Sequence, residues 1–234
     1  MTGVYGNVIA EHLLGMVLSL SRRIPEYRNQ QNESKWKILR YDKPLDESTV
    51  LILGAGDIGT TIAKWMRPMV GKIIGIRRIE RAFPDCFDEM FTLEKLDEKL
   101  TEADFVISIL PQTPETIGLF DEKRLRLMKD DAVLVNGGRG SLIDQEALLK
   151  VMSEGKFFGV GLDVTVPEPL PAESPLWNQE RLLITPHAAG NSCSLESPLE
   201  RKIRKFILKN TLKWINGEEP ENLIDFNLGY KKNV

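Results

Sequence analysis

The chain has 234 residues, 42% of them hydrophobic, and a formal net charge of −3. That is enough apolar material for a real core, in one large domain or one and a half ordinary ones, and it leaves no electrostatic case for nucleic-acid binding. The two cysteines, Cys86 and Cys193, have no neighbours at metal-ligand spacing, so no disulfide framework and no metal site is expected. Both read as small buried hydrophobes in a reducing, cytoplasmic setting.

The start of the chain has no basic stretch and no small-residue cleavage site, so no signal peptide is expected. The apolar run over residues 8–20 contains Glu11 and His12 and is too short to span a bilayer. Asn7 is expected to cap a helix that runs to Arg23, with Pro25 closing it. Its apolar positions, Leu13 and Val17 among them, lie nearly all round, so the helix must be buried under another layer or against a second subunit. His12, inside it, reads as a packing residue or an interface hydrogen-bond partner. Residues 30–47 are polar and read as an arm or loop.

The branched apolar run at 49–53, ending in glycines, predicts a buried parallel strand. A helix over 58–66, stopped by Pro68, and a strand over 72–76 follow. The alternation continues with a short strand at 90–91, a helix over 93–100 capped by Thr92, a strand over 105–110 and a helix over 121–128. A strand over 132–136, a helix over 145–152, a strand over 158–162 and a short strand at 182–184 come next. A helix over 195–215 closes the pattern. Strands alternating with helices predict an α/β fold, a doubly wound parallel (Rossmann) sheet covered on both faces.

Gly54-Ala55-Gly56-Asp57-Ile58-Gly59 follows a predicted strand directly and opens a helix. In that context the glycines make the tight turn, let the backbone approach a pyrophosphate and let helix and strand pack closely. The free amides and the positive helix end then hold the phosphate charge. A glycine-rich turn without a ligand is the plain alternative. The strand over 72–76 ends in Arg77 and Arg78, with Arg81 close by and no carboxylate to bind a ribose 2′-hydroxyl. A guanidinium there suits a 2′-phosphate, so NADP is expected, with NAD possible; a solvated basic turn is the alternative.

Three further loops follow strands, where an open α/β sheet binds ligands. The loop Val135-Asn-Gly-Gly-Arg139-Gly140 offers an arginine. The loop Asp163-Val-Thr-Val-Pro-Glu168-Pro169 offers two carboxylates, and Ile184-Thr-Pro-His187-Ala-Ala-Gly190 offers one of the two histidines. A histidine in such a loop is a natural general acid. Each signal is weak alone; at one edge of one sheet, beyond a dinucleotide loop, they make a site.

With these loops, Asn7-Val-Ile-Ala-Glu-His12, Ser21-Arg-Arg-Ile-Pro25 and Leu110-Pro-Gln-Thr-Pro-Glu-Thr116 resemble the D-isomer-specific 2-hydroxyacid dehydrogenase family in matching order over nearly the whole chain. The resemblance implies hydride transfer between the nicotinamide cofactor and a small 2-keto or 2-hydroxy acid, such as glyoxylate or hydroxypyruvate. It implies that Arg139 binds the substrate's carboxylate and carbonyl, that His187 donates a proton to the forming alkoxide and that Glu168 pairs with and orients His187. It gives Asp163 the nicotinamide carboxamide, and it implies further cofactor contacts at Leu110, Pro111, Thr116, Asn136, Gly137, His187 and Gly190.

In the family's layout a first lobe of a substrate domain precedes the linking helix, and the chain returns to it at the end. The expected division is therefore 1–193, a dinucleotide-binding domain with a leading dimerisation helix, and 194–234, the C-terminal helix and tail of an incomplete substrate domain. The resemblance then implies a homodimer, an apolar stripe left on the last helix and a half-open site that binds cofactor better than it turns over. A regulatory or degenerate dinucleotide-binding module is the competing reading. A short-chain dehydrogenase does not fit, since none of Tyr5, Tyr27, Tyr41 and Tyr230 has Lys four residues on.

Overall fold

The computed structural model describes residues 3–190, 197–225 and 230–231. Seven strands form its centre: β1 Thr49–Leu53, β2 Lys72–Ile76, β3 Glu89–Phe91, β4 Phe105–Ser108, β5 Val133–Asn136, β6 Gly159–Leu162 and β7 Leu182–Ile184. They make one sheet in the order β3-β2-β1-β4-β5-β6-β7, with every pair parallel. β1 pairs on one side with β2, Thr49 opposite Lys72, and on the other with β4, Val50 opposite Phe105. This is the doubly wound α/β arrangement that the alternating pattern predicts.

Side chains alternate across the sheet, as strand geometry requires. Val50, Ile52, Ile73, Phe105, Ile107, Val133 and Val135 point to one face. There they meet α1 (Gly6–Ser21) and α3 (Asp57–Met66) through Leu13, Met16, Val17, Leu20, Ile62 and Met66. Leu51, Leu53, Ile74, Ile76, Val106 and Leu134 point to the other face. Here they meet α4 (Leu96–Glu102), α5 (Glu122–Leu127) and α6 (Gln145–Ser153) through Leu96, Leu100, Leu125, Leu148 and Val151. Aspartates start two of these helices: Asp121 accepts from Arg124 N–H at 2.8 Å, and Asp144 from Glu146 and Ala147 N–H at 3.0 and 3.1 Å.

Several boundaries differ from expectation. The first helix starts at Gly6, so Asn7 falls inside its first turn. Pro25 begins a second helix, α2 (Ile24–Asn32), rather than only closing the first; a proline fits the first turn, whose N–H groups have no helical partner. Arg23, at φ 57, makes the break between the two. Thr92 precedes a 3-10 turn, Leu93–Lys95, and makes no side-chain cap bond. The β4 strand ends at Ser108, because Ile109 and Leu110 already belong to the loop above the sheet. The last helix, α7 (Pro198–Ile215), is capped by Ser197; its expected start at Leu195 lies outside the described residues, as does Cys193. Cys86 is buried. A two-stranded antiparallel pair, β8 (Ile224–Asp225) with β9 (Tyr230–Lys231), was not foreseen. No helix among the described residues is long and apolar enough to cross a membrane.

The apolar face of α1 is used inside the chain. Leu13 and Val17, candidates for a contact with a second subunit, are both fully buried, and Leu13 lies against the backbone of Gly137. Leu13→Ala is therefore expected to lower unfolding stability by about 2–5 kcal/mol in urea titration, the cost of a cavity beneath a close-packed helix. A stability within about 0.5 kcal/mol of the parent would contradict this packing.

Candidate functional site

The chain's two windings part at β1. Crossovers run from it to β2 on one side and lead to β4 on the other, so the loops after these strands diverge and leave a crevice. The crevice holds a cavity of about 560 Å³. Its walls are Gly54, Ala55, Gly56, Asp57 and Ile58 after β1, Arg77, Arg78, Ile79 and Arg81 after β2, Ile109, Leu110 and Pro111 after β4, and Gly137, Gly138 and Arg139 after β5. Tyr5 and Ile9, from the start of α1, close one side.

The glycine loop is built for close approach. Gly54 has φ +103, a conformation that L side chains rarely adopt, and a Cβ at Gly59 would lie 2.3 Å from the Gly54 carbonyl oxygen. The N–H groups of Gly54 and Ala55 donate to the Ile76 carbonyl, which ties the loop to the end of β2. A Cβ at Gly56 would meet nothing within 4 Å, so this part of the loop is open. The N-terminus of α3, with its partial positive charge, begins there.

The far wall is cationic. Arg77 is only 9% exposed; its Nη1 donates to the Ala82 carbonyl at 3.3 Å, and its Nε is buried without a hydrogen-bond partner. Burial, with the charge of Arg81, holds this guanidinium below its usual pKa. No carboxylate pairs with Arg77 or Arg81 among the described residues. Two cations that line one cavity with no carboxylate partner among the described residues suit an anion. The cavity, the open glycine loop and this corner together fit a phosphorylated dinucleotide.

A second cluster lies at the carboxyl ends of β6 and β7. His187 Nδ1 sits 2.8 Å from Glu168 Oε2. A carboxylate only accepts, so Nδ1 carries a proton and Nε2 is left for exchange. Glu168 Oε1 accepts from Thr165 N–H at 3.1 Å, which fixes the carboxylate from its other side. His187 has φ 53, a left-handed conformation that costs a non-glycine residue about 1–2 kcal/mol. Its N–H donates to the carbonyls of Asp163 at 2.7 Å and Thr185 at 3.0 Å, which hold the turn. Asp163 is 1% exposed and accepts from the N–H groups of Ala188 and Ala189. Arg139 bridges the two regions: it lines the cavity, donates to the Gly138 carbonyl at 2.7 Å and acts by its charge on Glu168.

The structure thus brings Gly54, Gly56, Asp57, Ile58, Arg77, Arg78, Leu110, Pro111, Gly137 and Arg139 to the cavity wall, with Gly59 supporting the turn behind it. Asp163, Glu168 and His187 form the adjoining cluster, and Gly190 lies against Tyr5 and Ile9. Two further residues expected at the cofactor bond within their own loops. Thr116 is buried, and its hydroxyl donates within its own loop to the Pro111 carbonyl while accepting from Thr113 N–H. Asn136 is also buried; it donates to the Arg139 carbonyl and accepts from Gly138 N–H. Both brace the loops that carry other residues to the site. The sequence reading missed Tyr5 and Ile9, for which chain order holds no signal. No group of three or more His, Cys, Asp or Glu side chains is placed to hold a metal among the described residues.

Partial burial pushes the Glu168 carboxyl up, but the hydrogen bonds from His187 and Thr165 and the positive charge of Arg139 bring it below its ordinary value. The stability this contributes is present above the unfolded-state value and is lost as pH falls through the lower, folded one. An NMR titration of Glu168 is expected to give a midpoint below the usual ~4.3. His187→Ala removes the main lowering cause while burial remains, so the midpoint should rise; an unchanged midpoint would contradict the pairing.

Comparison with known proteins gives the same assignment independently. The family profile described as D-isomer specific 2-hydroxyacid dehydrogenase, NAD binding domain, matches residues 14–189. A glyoxylate reductase of Korarchaeum cryptofilum is 33% identical over 95% of this chain and 67% of its own length. A crystal structure of a family protein from Aeromonas salmonicida has 37% identity and a TM-score of 0.84, covering 97% of this chain and 70% of that one. Another, from Xanthobacter autotrophicus in complex with NADPH and MES, has 30% identity and a TM-score of 0.85, covering 98% of this chain and 93% of that one. The glycine loop, the parting of the strands above it and these matches agree, and the chain belongs to the D-isomer specific 2-hydroxyacid dehydrogenase family of oxidoreductases.

Proposed function

We propose that the site binds NADP(H) in preference to NAD(H) and interconverts small 2-keto and 2-hydroxy acids of the glyoxylate or hydroxypyruvate kind. The observation that carries the cofactor preference is Arg77, nine-tenths buried, with a hydrogen-bond donor unused and no carboxylate partner among the described residues. An NAD site would need an acceptor for the ribose hydroxyl there. The NADPH complex of the Xanthobacter relative supports the same choice, and the Korarchaeum reductase supports the substrate class.

A nicotinamide bound in the crevice supplies or takes up the hydride. In this reading the glycine loop and the start of α3 hold the pyrophosphate, and Arg77, with Arg78 and Arg81 beside it, holds the 2′-phosphate. Asp163 accepts from the carboxamide. Arg139 pairs with the substrate carboxylate and polarises the carbonyl, which favours the charge that develops on its oxygen. His187 gives its proton to that oxygen during reduction and takes it back during oxidation. Glu168 accepts from Nδ1 and orients the ring, which leaves Nε2 toward the substrate.

The C-terminal helix fits a second, substrate-binding unit over 194–234. Among its described side chains α7 buries Leu199 alone, while Ile207, Leu208, Leu212, Trp214 and Ile215 are exposed. A homodimer fits the exposed apolar side chains Leu18, Ile24, Trp36, Ile38 and Tyr41, which follow one another along α1, α2 and the arm after it. One observation favours the competing reading of a dinucleotide-binding module without useful catalysis. The side chains of His187 and Glu168 are 49% and 39% exposed, open to water that hydride chemistry excludes.

Arg77→Ala is expected to raise the dissociation constant of NADPH about tenfold or more, the worth of a charge-assisted bond, and that of NADH by about twofold at most. Fluorescence titration of both nucleotides measures this. Equal weakening would mean that Arg77 does not read the 2′-phosphate.

A further inference from the structure

His12 reads from sequence as a packing residue or an interface hydrogen-bond partner. The structure carries it across the fold, 173 residues along the chain, to the end of β7. Its Nε2 lies 2.9 Å from Thr185 Oγ1 and 3.4 Å from Asp163 Oδ1. The Thr185 hydroxyl in turn donates to Asp163 Oδ1 at 2.5 Å. Ala188 N–H donates to the same oxygen at 2.8 Å, and Ala189 N–H donates to Oδ2 at 3.1 Å.

Proton counting fixes the direction of this chain of bonds. Thr185 has one hydroxyl proton, and the carboxylate can only accept it. Toward His12 the hydroxyl oxygen must therefore accept, so His12 Nε2 carries a proton and donates. Oδ1 of Asp163 is then engaged twice, by Thr185 and Ala188. Among the described residues Oδ2 is engaged once, by Ala189, and keeps acceptor capacity. A carboxylate that is 1% exposed and has one oxygen incompletely used is prepared for a donor arriving from a ligand. His12 itself is 26% exposed on its side chain, so it is not sealed in the core.

We propose that His12 is a positioning residue for the nicotinamide end of the cofactor. Acting through Thr185, it locks the Asp163 carboxylate so that Oδ2 faces a carboxamide N–H with its acceptor capacity unspent. The inference rests on the reading of Asp163 given above and extends it to a residue of α1. It also gives α1 a second part in the site, since the same helix supplies Ile9 to the cavity wall.

The test compares two probes: NADPH, and adenosine 2′,5′-bisphosphate, which carries the adenosine half without the nicotinamide. His12→Leu is expected to raise the dissociation constant of NADPH about three- to tenfold, the range for one hydrogen bond. The bisphosphate should bind unchanged, within about twofold, because its contacts lie at the other end of the crevice. His12→Gln, which keeps an N–H donor, should recover most of the affinity. Thr185→Val should match His12→Leu, and the two together should add little, as expected for members of one relay. Unchanged NADPH affinity in both His12→Leu and Thr185→Val would overturn the proposal. Equal loss for both probes would also overturn it, by showing that the substitutions only loosen the fold. A parent chain that binds neither probe would overturn the cofactor reading itself, and this inference with it.

Discussion

The sheet builds outward from β1 through β2 to β3 and from β4 through β5 to β7, so the loops after β1 and β4 turn away from each other and leave a gap between them. That gap decides where everything else sits. The glycine loop stands on one side of it and the Ile109–Pro111 loop on the other, while the arginine corner after β2 closes one end. The parallel strands all present their carboxyl ends there, so every following loop adds a side chain to the same edge. A buried sheet with both faces covered is also stiff. Its loops can therefore hold positions that cost local energy, such as the left-handed backbone at His187.

The first helix binds the two halves of that edge together. Its apolar side fills the space over β5 and β6 through Leu13, Met16 and Leu20. Its first turns reach the crevice through Tyr5 and Ile9, and His12 reaches Thr185 and Asp163. The segment before the helix meets the glycine loop directly, where Gly3 N–H donates to Asp57 at 3.0 Å. A helix that looks in sequence like a linker is thus part of the wall against which a cofactor would lie.

Much of this was legible in the sequence, for definite reasons. Branched apolar runs and glycine placement marked β1 and β2 to the residue, because a buried parallel strand leaves little choice of side chain. The glycine loop and the arginines that stand at the end of β2 in place of a carboxylate pointed to the crevice and its charge. The α2 helix was not legible, since its nine residues include a single large apolar side chain besides Tyr27 and so show no stripe. The loop bonds of Thr116 and Asn136 were not legible for a related reason. A hydroxyl or amide that bonds its own loop looks, in sequence, the same as one that bonds a ligand, although the Asn136-Gly-Gly turn is where a side chain bonding two residues on is common. His12 was beyond sequence reasoning, because its partners are distant in the chain and meet it only through the packing of α1 on the sheet.

In the proposed function the chain's own residues join a dinucleotide crevice to a proton-donating histidine. Its most direct test is the loss of reduced-nicotinamide absorbance when the protein is mixed with NADPH and glyoxylate, with the parent and His187→Ala measured side by side. Turnover is expected of the parent and a fall of about a hundredfold or more of the variant, with NADPH affinity nearly unchanged. Equal turnover by the two would contradict the role given to His187. A parent that binds NADPH but consumes none with any small 2-keto acid would leave a cofactor-binding module in place of an enzyme.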